Sequence, residues 1–348
     1  METIELIKKL GHEQVIFCQD LSIGYRAIIA IHSTALGAAV GGTRVWPYAT
    51  DDAALLDALR LSRGMTYKSS VAGVNMGGGK SVIIANSREI DREKIFRSHG
   101  RFIERLGGHY ITAEDVGTSP SDMAIIAKET KHVAGLESGV GDPSPFTGRG
   151  VFRGMQAAAK HRWGSDDLSG KRVAIQGCGN VGYFLSKELH RAGATLIVTD
   201  VDAGRVQKVV NEFGATAVKT DEIYSVEADV FSPCALGAIL NDQTIPQLKV
   251  AIVAGGANNQ LLEERHGVAL AERDILYAPD YVINAGGIIS GSVDMMGWSR
   301  ERMESGVERI YDTTLSIFEE AKAKGILPFT AADRLAERRI AQKGGTGI

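Results

Sequence analysis

Short apolar runs alternate with amphipathic stretches along nearly the whole 348-residue chain, and the alternation changes character near the middle. In the first part, Ala27-Ile28-Ile29-Ala30-Ile31 and Val82-Ile83-Ile84-Ala85 read as strands, being short and rich in β-branched residues. A helix is predicted between them. Thr50 is its N-cap, Asp51 and Asp52 suit the positive end of the helix dipole, and Leu55, Leu56 and Leu59 supply an apolar stripe. Continued through Met65, this helix brings Lys68 along one or two turns later. The stretch Leu136 to Gly150, with Gly139, Gly141, Pro143, Pro145, Gly148 and Gly150, is dense in turn formers and reads as a hinge.

After it, an amphipathic segment from Val151 to Trp163 leads to strand-like Val173-Ala174-Ile175-Gln176. Further strands are expected at Leu196–Thr199, Ala215–Val218, Asp229–Phe231, Val250–Ala254 and Ile275–Tyr277. Six strands with crossovers predict a doubly wound, mostly parallel sheet. Met303, Val307, Ile310, Tyr311, Thr314, Ile317, Phe318 and Ala321 repeat every three or four residues, predicting one long helix ended by Pro328. A last helix is expected from the capping-box-like Thr330 to Asp333, packed back on the first domain or on another subunit. The tail Gly344-Gly345-Thr346-Gly347 reads as a frayed end or a cloning remnant.

With 44% hydrophobic and 23% charged residues the composition is globular, and 348 residues suffice for two domains. A net charge of -3 without any lysine or arginine run argues against nucleic-acid and membrane-surface partners and for a small molecule. Cys18, Cys178 and Cys234 are few and far apart, so neither disulfides nor a zinc site is indicated and a reducing compartment is expected. Met1 to Gly11 lacks the apolar core of a signal peptide, and the expected location is cytoplasmic. The eight histidines form no metal-ligand spacing, so no metal is predicted.

Two segments carry candidate chemistry. In Met76-Gly77-Gly78-Gly79-Lys80-Ser81, three glycines are expected to let the backbone close on a small anion and deliver Lys80 into the same spot. Lys68 lies twelve residues earlier, and Asp115 follows the apolar Tyr110-Ile111. A lysine acts as a base near neutrality only when burial or a second cation destabilises its charge, which the two lysines could do for each other. One would neutralise a substrate carboxylate and the other take a proton, while Asp115 exchanges a proton with a nitrogen leaving group. The bland alternative is a pair of surface lysines.

The second segment, Gly177-Cys178-Gly179-Asn180-Val181-Gly182, follows a predicted strand and opens a helix with Val181, Leu185 and Leu189 on one face. That context makes it a dinucleotide fingerprint: a tight turn, close approach of the pyrophosphate, close packing of helix on strand, and a helix N-terminus for the phosphates. Asp200, ending the next strand, suits the adenosine ribose hydroxyls and would repel a 2′-phosphate. NAD is therefore expected rather than NADP, with Arg205 as the residue that could accommodate the phosphate. Cys178 is read as a spacer acting through its backbone. The fold class is thus α/β in two domains. Residues 1–140 form an α/β substrate-binding and oligomerisation domain with helix 330–343 packed back on it, and residues 141–329 form a Rossmann-type NAD-binding domain.

The chain resembles the superfamily of glutamate, leucine, valine and phenylalanine dehydrogenases, most closely its leucine branch. The likeness runs through Glu13–Cys18, Gly41-Gly42-Thr43-Arg44, Gly64–Lys68, the Gly-Gly-Gly-Lys segment, Ile111–Gly117, Pro233-Cys234-Ala235 and Tyr277–Gly287. It implies that Lys68 holds the substrate α-carboxylate, aided by the Gly41-Gly42 backbone, that Lys80 activates the water attacking an imine, and that Asp115 shuttles protons to and from the amino group. The implied reaction is reversible: an L-amino acid, NAD and water give a 2-oxo acid, ammonium and NADH. Hinge closure would exclude bulk water. Cys234, Ala235, Asn258, Asn259 and Asn284 match positions near the cofactor, and the chain is expected to form a homo-oligomer.

By the same resemblance, Val40, Ala113, Ile288 and Gly291 line the side-chain pocket. None can pair a substrate carboxylate, which argues against glutamate. Ala113-Glu114 is similar to the leucine branch and predicts leucine, valine and isoleucine as substrates. Val40 and Gly291 are smaller than expected for that branch and leave a phenylalanine or broad-range enzyme as the alternative, since one methylene is worth only about 1 to 3 kcal/mol of discrimination. A non-catalytic NAD-binding sensor would keep the glycine fingerprint without needing Lys68, Lys80 and Asp115 together.

Overall fold

The structure is a computed structural model that describes residues 3–136 and 141–344. Residues 137–140 of the expected hinge and 345–347 of the expected tail lie outside the described residues. The chain divides into one unit of Met1–Gly141, Gly291–Gly297 and Ala336–Ile348, and a second of Asp142–Ser290 and Trp298–Leu335.

The first unit runs α1 (Thr3–Leu10), β1 (Gln14–Asp20), β2 (Tyr25–Ser33), β3 (Ala39–Trp46), α2 (Asp51–Val71), β4 (Gly77–Ile84), α3 (Arg92–Glu104), β5 (Tyr110–Glu114) and α4 (Pro120–Ile126). Its sheet has the order β1-β2-β4-β3-β5. The β1·β2 and β2·β4 pairs are antiparallel, and β3 is parallel to both β4 and β5. Side chains alternate between the two faces. On one, Ile28, Ala30 and Val82 pack against Ala54, Leu55, Ala58 and Leu59 of α2. On the other, Ile29, Ile31 and Ile83 pack against Phe96 and Ile103 of α3 and Met123 and Ile126 of α4. Leu56, counted in the predicted stripe, is 40% exposed.

The glycine-rich segment is not a loop. Gly77, Gly78 and Gly79 are the buried first residues of β4, and the space their side chains would fill is occupied by protein. A Cβ on Gly78 would stand 2.1 Å from the Thr66 nitrogen of α2, one on Gly77 would meet the Ser33 carbonyl at 2.0 Å, and one on Gly79 would meet the Tyr110 ring at 2.6 Å. The space expected to cradle an anion is filled instead by α2 at Gly78 and by neighbouring strands at Gly77 and Gly79, and backbone in a ladder has given its polar groups to those strands. β3 was hidden from the sequence pattern by Gly41, Gly42 and Arg44.

Behind the sheet, on the α3 face, lies a buried polar cluster. His99 Nε2 is 3.0 Å from the hydroxyls of both Thr43 and Ser81, and its Nδ1 is 2.7 Å from the Tyr25 hydroxyl. Thr43 also reaches Thr112 at 2.6 Å, and the Tyr110 hydroxyl donates to the Gly41 carbonyl at 2.6 Å. Burial pushes the pKa of His99 down to about 3. It likewise lowers His12, which lies 2.9 Å from the Ser62 hydroxyl, and His32, which lies 2.8 Å from that of Thr66, to about 4.

The second unit contributes α5 (Ser144–Trp163), β6 (Arg172–Gln176), α6 (Asn180–Arg191), β7 (Thr195–Thr199), α7 (Ala203–Phe213), β8 (Thr216–Ala217), β9 (Val230–Pro233), β10 (Ile252–Val253), α8 (Arg265–Glu272), β11 (Leu276–Tyr277) and α9 (Asp280–Ile283). There follow α10 (Gly286–Met296), α11 (Arg300–Glu308), α12 (Ile310–Lys324) and α13 (Pro328–Gly344). The sheet order β11-β10-β9-β6-β7-β8 is all parallel and doubly wound about β6 and β9, as the sequence predicts.

Several expected boundaries move. Ser144–Gly150 is helical, because Gly148 and Gly150 are contact points: a Cβ on them would meet the Leu185 nitrogen and the Ile283 carbonyl, each at 2.9 Å. The long helix is two, parted at Arg309 (φ -64, ψ -11), where the backbone tightens. It ends at Gly325 (φ +61), whose left-handed backbone closes the last turn, and Pro328 starts α13 in place of Thr330. Beyond the expected return of the last helix, which joins the first unit from Ala336, the end of α10 within Gly291–Gly297 belongs to the first unit as well.

Gly78→Ala should therefore cost about 3 kcal/mol or more, through overpacking against the backbone of α2; a denaturant midpoint equal to wild type would contradict that contact. A pH effect follows from the three histidines. Folding holds them neutral well below their usual pKa of 6.5, so the unfolded chain binds the extra protons and stability falls as pH drops from 6.5 toward 4. The loss is on the order of 1.4 kcal/mol per histidine per pH unit. Urea unfolding at pH 7 and pH 5 measures it, and His99→Gln should flatten the slope.

Candidate active site

Alternation along β3, β4 and β5 puts Val40, Gly42 and Arg44, then Gly78 and Lys80, then Ala113 and Asp115 on the α2 face. In the β3·β4 ladder Val40 pairs with Gly78 and pairing resumes at Thr43 with Ser81, so Gly41 and Gly42 stand outside it beside Lys80. Gly42 has no alternative. A Cβ there would lie 2.5 Å from the Glu114 carbonyl and 2.8 Å from the Asp115 Cβ, closing the space into which Asp115 turns.

Lys80 is 5% exposed, and its Nζ lies 3.0 Å from Asp115 Oδ2. Arg44 Nε donates to the same oxygen at 2.8 Å, and Arg44 Nη1 donates to Asp57 Oδ2 of α2 at 2.9 Å. The Tyr48 hydroxyl donates to that Asp57 oxygen at 2.5 Å. The backbone of Asp115 is fixed as well, its N–H donating to the Thr118 hydroxyl at 2.8 Å, which in turn donates to the Thr43 carbonyl at 3.0 Å.

Burial pushes the pKa of Lys80 down; Asp115 opposes this and the charge of Arg44 adds to it. Burial alone would raise the Asp115 carboxyl, but the Lys80 and Arg44 charges override it and hold the group below the usual carboxylate range. Arg44 is thus a cation acting on Lys80 that the sequence reading did not include. Lys68 is half-buried in the last turn of α2, two residues after Thr66, whose nitrogen abuts Gly78.

Arg44, Asp57 and Tyr48 were not singled out from sequence as site residues. Their signal is spacing: Arg44 stands two residues after Gly42 on a strand, and Asp57 is a polar position within the apolar stripe of α2. The resemblance quoted Arg44 without giving it a role.

In the second unit, β6 turns into α6 through the glycine segment. Gly177 has φ +104, a conformation that favours glycine, and a Cβ on Gly182 would fall 2.0 Å from the Gly177 carbonyl. Gly179 differs from both. A Cβ on it would meet nothing nearer than Arg205 Nη1 at 3.6 Å, and α6 starts from it without a side-chain cap. First-turn N–H groups of α6, beginning with Asn180 and Val181, thus face a position left open by Gly179. Asp200 Oδ2 accepts the Cys178 N–H at 2.7 Å and its Oδ1 the Asp202 N–H at 2.9 Å, so this carboxylate also braces the turn. Burial pushes the Cys178 thiol up to about 12, leaving it unreactive. Arg205 Nε pairs with Asp202 at 3.4 Å.

Cys234 follows β9 and its sulfur accepts the Gly256 N–H at 3.4 Å, while Ala235 is exposed. Asn258 and Asn259 are exposed on the loop after β10. Asn284 is buried, donates to Asn258 Oδ1 at 2.8 Å and to the Gly256 carbonyl at 3.2 Å, and keeps a buried Oδ1 without a partner among the described residues. Val40 is buried and Ala113 half-buried in the first unit. Ile288 is buried on α10, and a Cβ on Gly291 would meet only the mobile end of Met295, at 3.0 Å. Among the described residues no group of three or more His, Cys, Asp or Glu could hold a metal ion, and no helix is long and apolar enough to cross a membrane.

Residues 12–132 match the family model described as Glu/Leu/Phe/Val dehydrogenase, dimerisation domain. Residues 139–208 and 198–344 match that of Glutamate/Leucine/Phenylalanine/Valine dehydrogenase. The chain is 55% identical over 344 residues to leucine dehydrogenase of Bacillus cereus, covering 98% of this chain and 94% of that protein. It is 47% identical to valine dehydrogenase of Streptomyces coelicolor, over 95% of this chain and 93% of that one. The crystal structure of L-tryptophan dehydrogenase from Nostoc punctiforme superimposes with a TM-score of 0.86 at 48% identity, covering 98% of this chain and 99% of that chain. The chain belongs to the Glu/Leu/Phe/Val dehydrogenase family and is an amino-acid oxidoreductase of it.

Proposed function

We propose that this enzyme catalyses the NAD-dependent, reversible oxidative deamination of branched-chain L-amino acids to 2-oxo acids and ammonium. The observation that carries the reading is the buried Lys80 bonded at 3.0 Å to Asp115, in a chain 55% identical to a leucine dehydrogenase. Burial destabilises the charged ammonium, so Lys80 is suited to accept a proton from the water that attacks the imine carbon. Asp115, kept ionised by its two cations, takes the proton leaving the substrate nitrogen and returns it when ammonia departs. Lys68 and the backbone of Gly41 and Gly42 hold the α-carboxylate. Val40 and Ala113 meet the substrate side chain; the parts given to Ile288 and Gly291 rest on the family resemblance alone.

NAD fits the second unit. It supplies the hydride acceptor when bound. The open position at Gly179 and the uncapped start of α6 suit a pyrophosphate, and Asp200 suits a ribose diol. Arg205 is already paired with Asp202, which leaves little to attract a 2′-phosphate and favours NAD over NADP. Cys234, Ala235, Asn258, Asn259 and Asn284 are proposed to contact the nicotinamide half. The family description of the N-terminal region as a dimerisation domain supports a homo-oligomer. A broad-range or aromatic preference is the second reading, favoured by the small Val40 and Gly291 and by the likeness to a tryptophan dehydrogenase.

NADH formation with L-leucine, L-valine, L-isoleucine, L-methionine, L-phenylalanine, L-tryptophan and L-glutamate should rank a branched-chain substrate first and glutamate last, with NADP poorly used. An aromatic substrate on top would favour the second reading, and no turnover despite tight NAD binding would leave a sensor. Lys80→Ala should lower kcat by roughly a thousandfold with NAD affinity unchanged; retained turnover would remove Lys80 from the mechanism.

A further inference from the structure

Of the charged groups around Lys80 and Asp115, those that do no chemistry in the proposed reaction are the most closely tied. Arg44 bonds two carboxylates at once, Asp115 through Nε and Asp57 through Nη1, and Tyr48 holds Asp57 from the other side. Both cations that touch Asp115 meet the same oxygen: Lys80 at 3.0 Å and Arg44 at 2.8 Å both reach Oδ2. Oδ1 is bonded to nothing among the described residues and is not buried among the orphaned polar atoms. The two oxygens of one carboxylate are thus in unlike surroundings.

We infer that Arg44, Asp57 and Tyr48 form a positioning relay that pins Oδ2 of Asp115 and presents Oδ1 as the oxygen that exchanges protons with the substrate nitrogen. This rests on the deamination reading and deepens it. The planar guanidinium is what makes the relay possible, since it offers separate N–H groups to two carboxylates in a fixed fork, where an ammonium would be a single point charge on a flexible stem. With Asp57 anchored on α2 and Asp115 at the end of β5, Arg44 ties that helix to the strand end carrying the acid. The Asp115 side chain cannot then rotate to exchange its oxygens without breaking two charged hydrogen bonds.

The relay also sets charge. The titratable groups that act on Lys80 and Asp115 are Arg44 from β3, Asp57 from α2 with Tyr48 bonded to it, and Tyr110 at the start of β5. Arg44 opposes the charged form of Lys80 while Asp57 favours it. The two ends of the relay therefore act on the base with opposite sign.

The test is the pH dependence of kcat for deamination in the wild type and four variants, with far-ultraviolet circular dichroism and NAD affinity as checks on folding. Because Lys80 must be unprotonated, activity rises with pH through an acid limb. Arg44→Met removes the opposing cation and should move that limb to higher pH; Asp57→Asn keeps an acceptor for Arg44 and Tyr48 but removes the negative charge, and should move it to lower pH. Arg44→Lys keeps the charge and loses the fork, so kcat should fall roughly tenfold or more from misplacement of Asp115 with the limb in place and KM little changed. Tyr48→Phe should give a smaller loss of the same kind. Wild-type kcat in Arg44→Lys, or limbs that move the same way in Arg44→Met and Asp57→Asn, would overturn the relay. Should Arg44→Met not fold, Asp57→Asn and Arg44→Lys decide it. Failure of the underlying reading looks different, because the wild type itself would then turn over no amino acid.

Discussion

The separation between α2 and β4 is set by the missing side chain of Gly78, and the first unit is arranged around it. With a methyl group on Gly78 facing the Thr66 nitrogen at 2.1 Å, helix and strand could not touch. Because they do, α2, which carries Asp57 and Lys68, lies against the strand that carries Lys80. Gly41 and Gly42 make the neighbouring step, letting β3 pass beside Lys80 while Asp115 turns in from β5. Large side chains stabilise a core by filling space; here their absence brings charged groups together.

That gathering has an electrostatic cost, since two cations and two carboxylates from β3, β4, the end of β5 and α2 share a small volume. It is offset by placing the charges alternately: Lys80, Asp115, Arg44 and Asp57 form a chain in which each neighbour is of opposite sign, at 2.8 to 3.0 Å. Alternation neutralises the cluster as a whole while leaving Lys80 dominated by burial. The hydroxyl and imidazole groups behind the sheet do a different job. His99, Ser81, Thr43 and Tyr110 satisfy one another without net charge, which ties the reverse face of the same strands together without burying a further ion.

What was legible in the sequence follows from where each signal lives. The doubly wound sheet was readable because its central strands are continuous apolar runs, such as Val173–Gln176, divided by helices. Lys80, Asp115 and the glycine turn at Gly177 stood out because their neighbours are unusual. The glycines before Lys80 misled for the same reason, since a glycine run means close approach without saying whether a ligand or the protein's own backbone fills the space. Arg44, Asp57 and Tyr48 stayed hidden because their meaning is relational: each is an ordinary surface residue type until β3, α2 and the segment between them are folded together. Helix ends near Arg309 and Gly325 were lost to a periodicity that runs on across the break.

The last helix adds a constraint of another kind. From Ala336 it belongs to the first unit, where Arg339 donates to the carbonyls of Ser69, Ser70 and Val74 and to the side chain of Asn75, and Ser70 donates to the Ala336 carbonyl. The Ser69 and Ser70 carbonyls, in the last turn of α2 immediately after Lys68, also accept the Val74 and Gly73 N–H groups, so Arg339 clasps a helix end that the local backbone already caps. The helix that carries the lysine is therefore clasped by a residue more than 260 positions downstream. During synthesis, when domains generally fold in order from the N-terminus, the first unit must wait without the Arg339 clasp on α2 until the second has been made. The clasp on the helix that carries the lysine is then a late event in the life of the chain, and a ribosome that stalls within the second unit leaves a protein whose first half has its sheet but not the Arg339 bonds to α2.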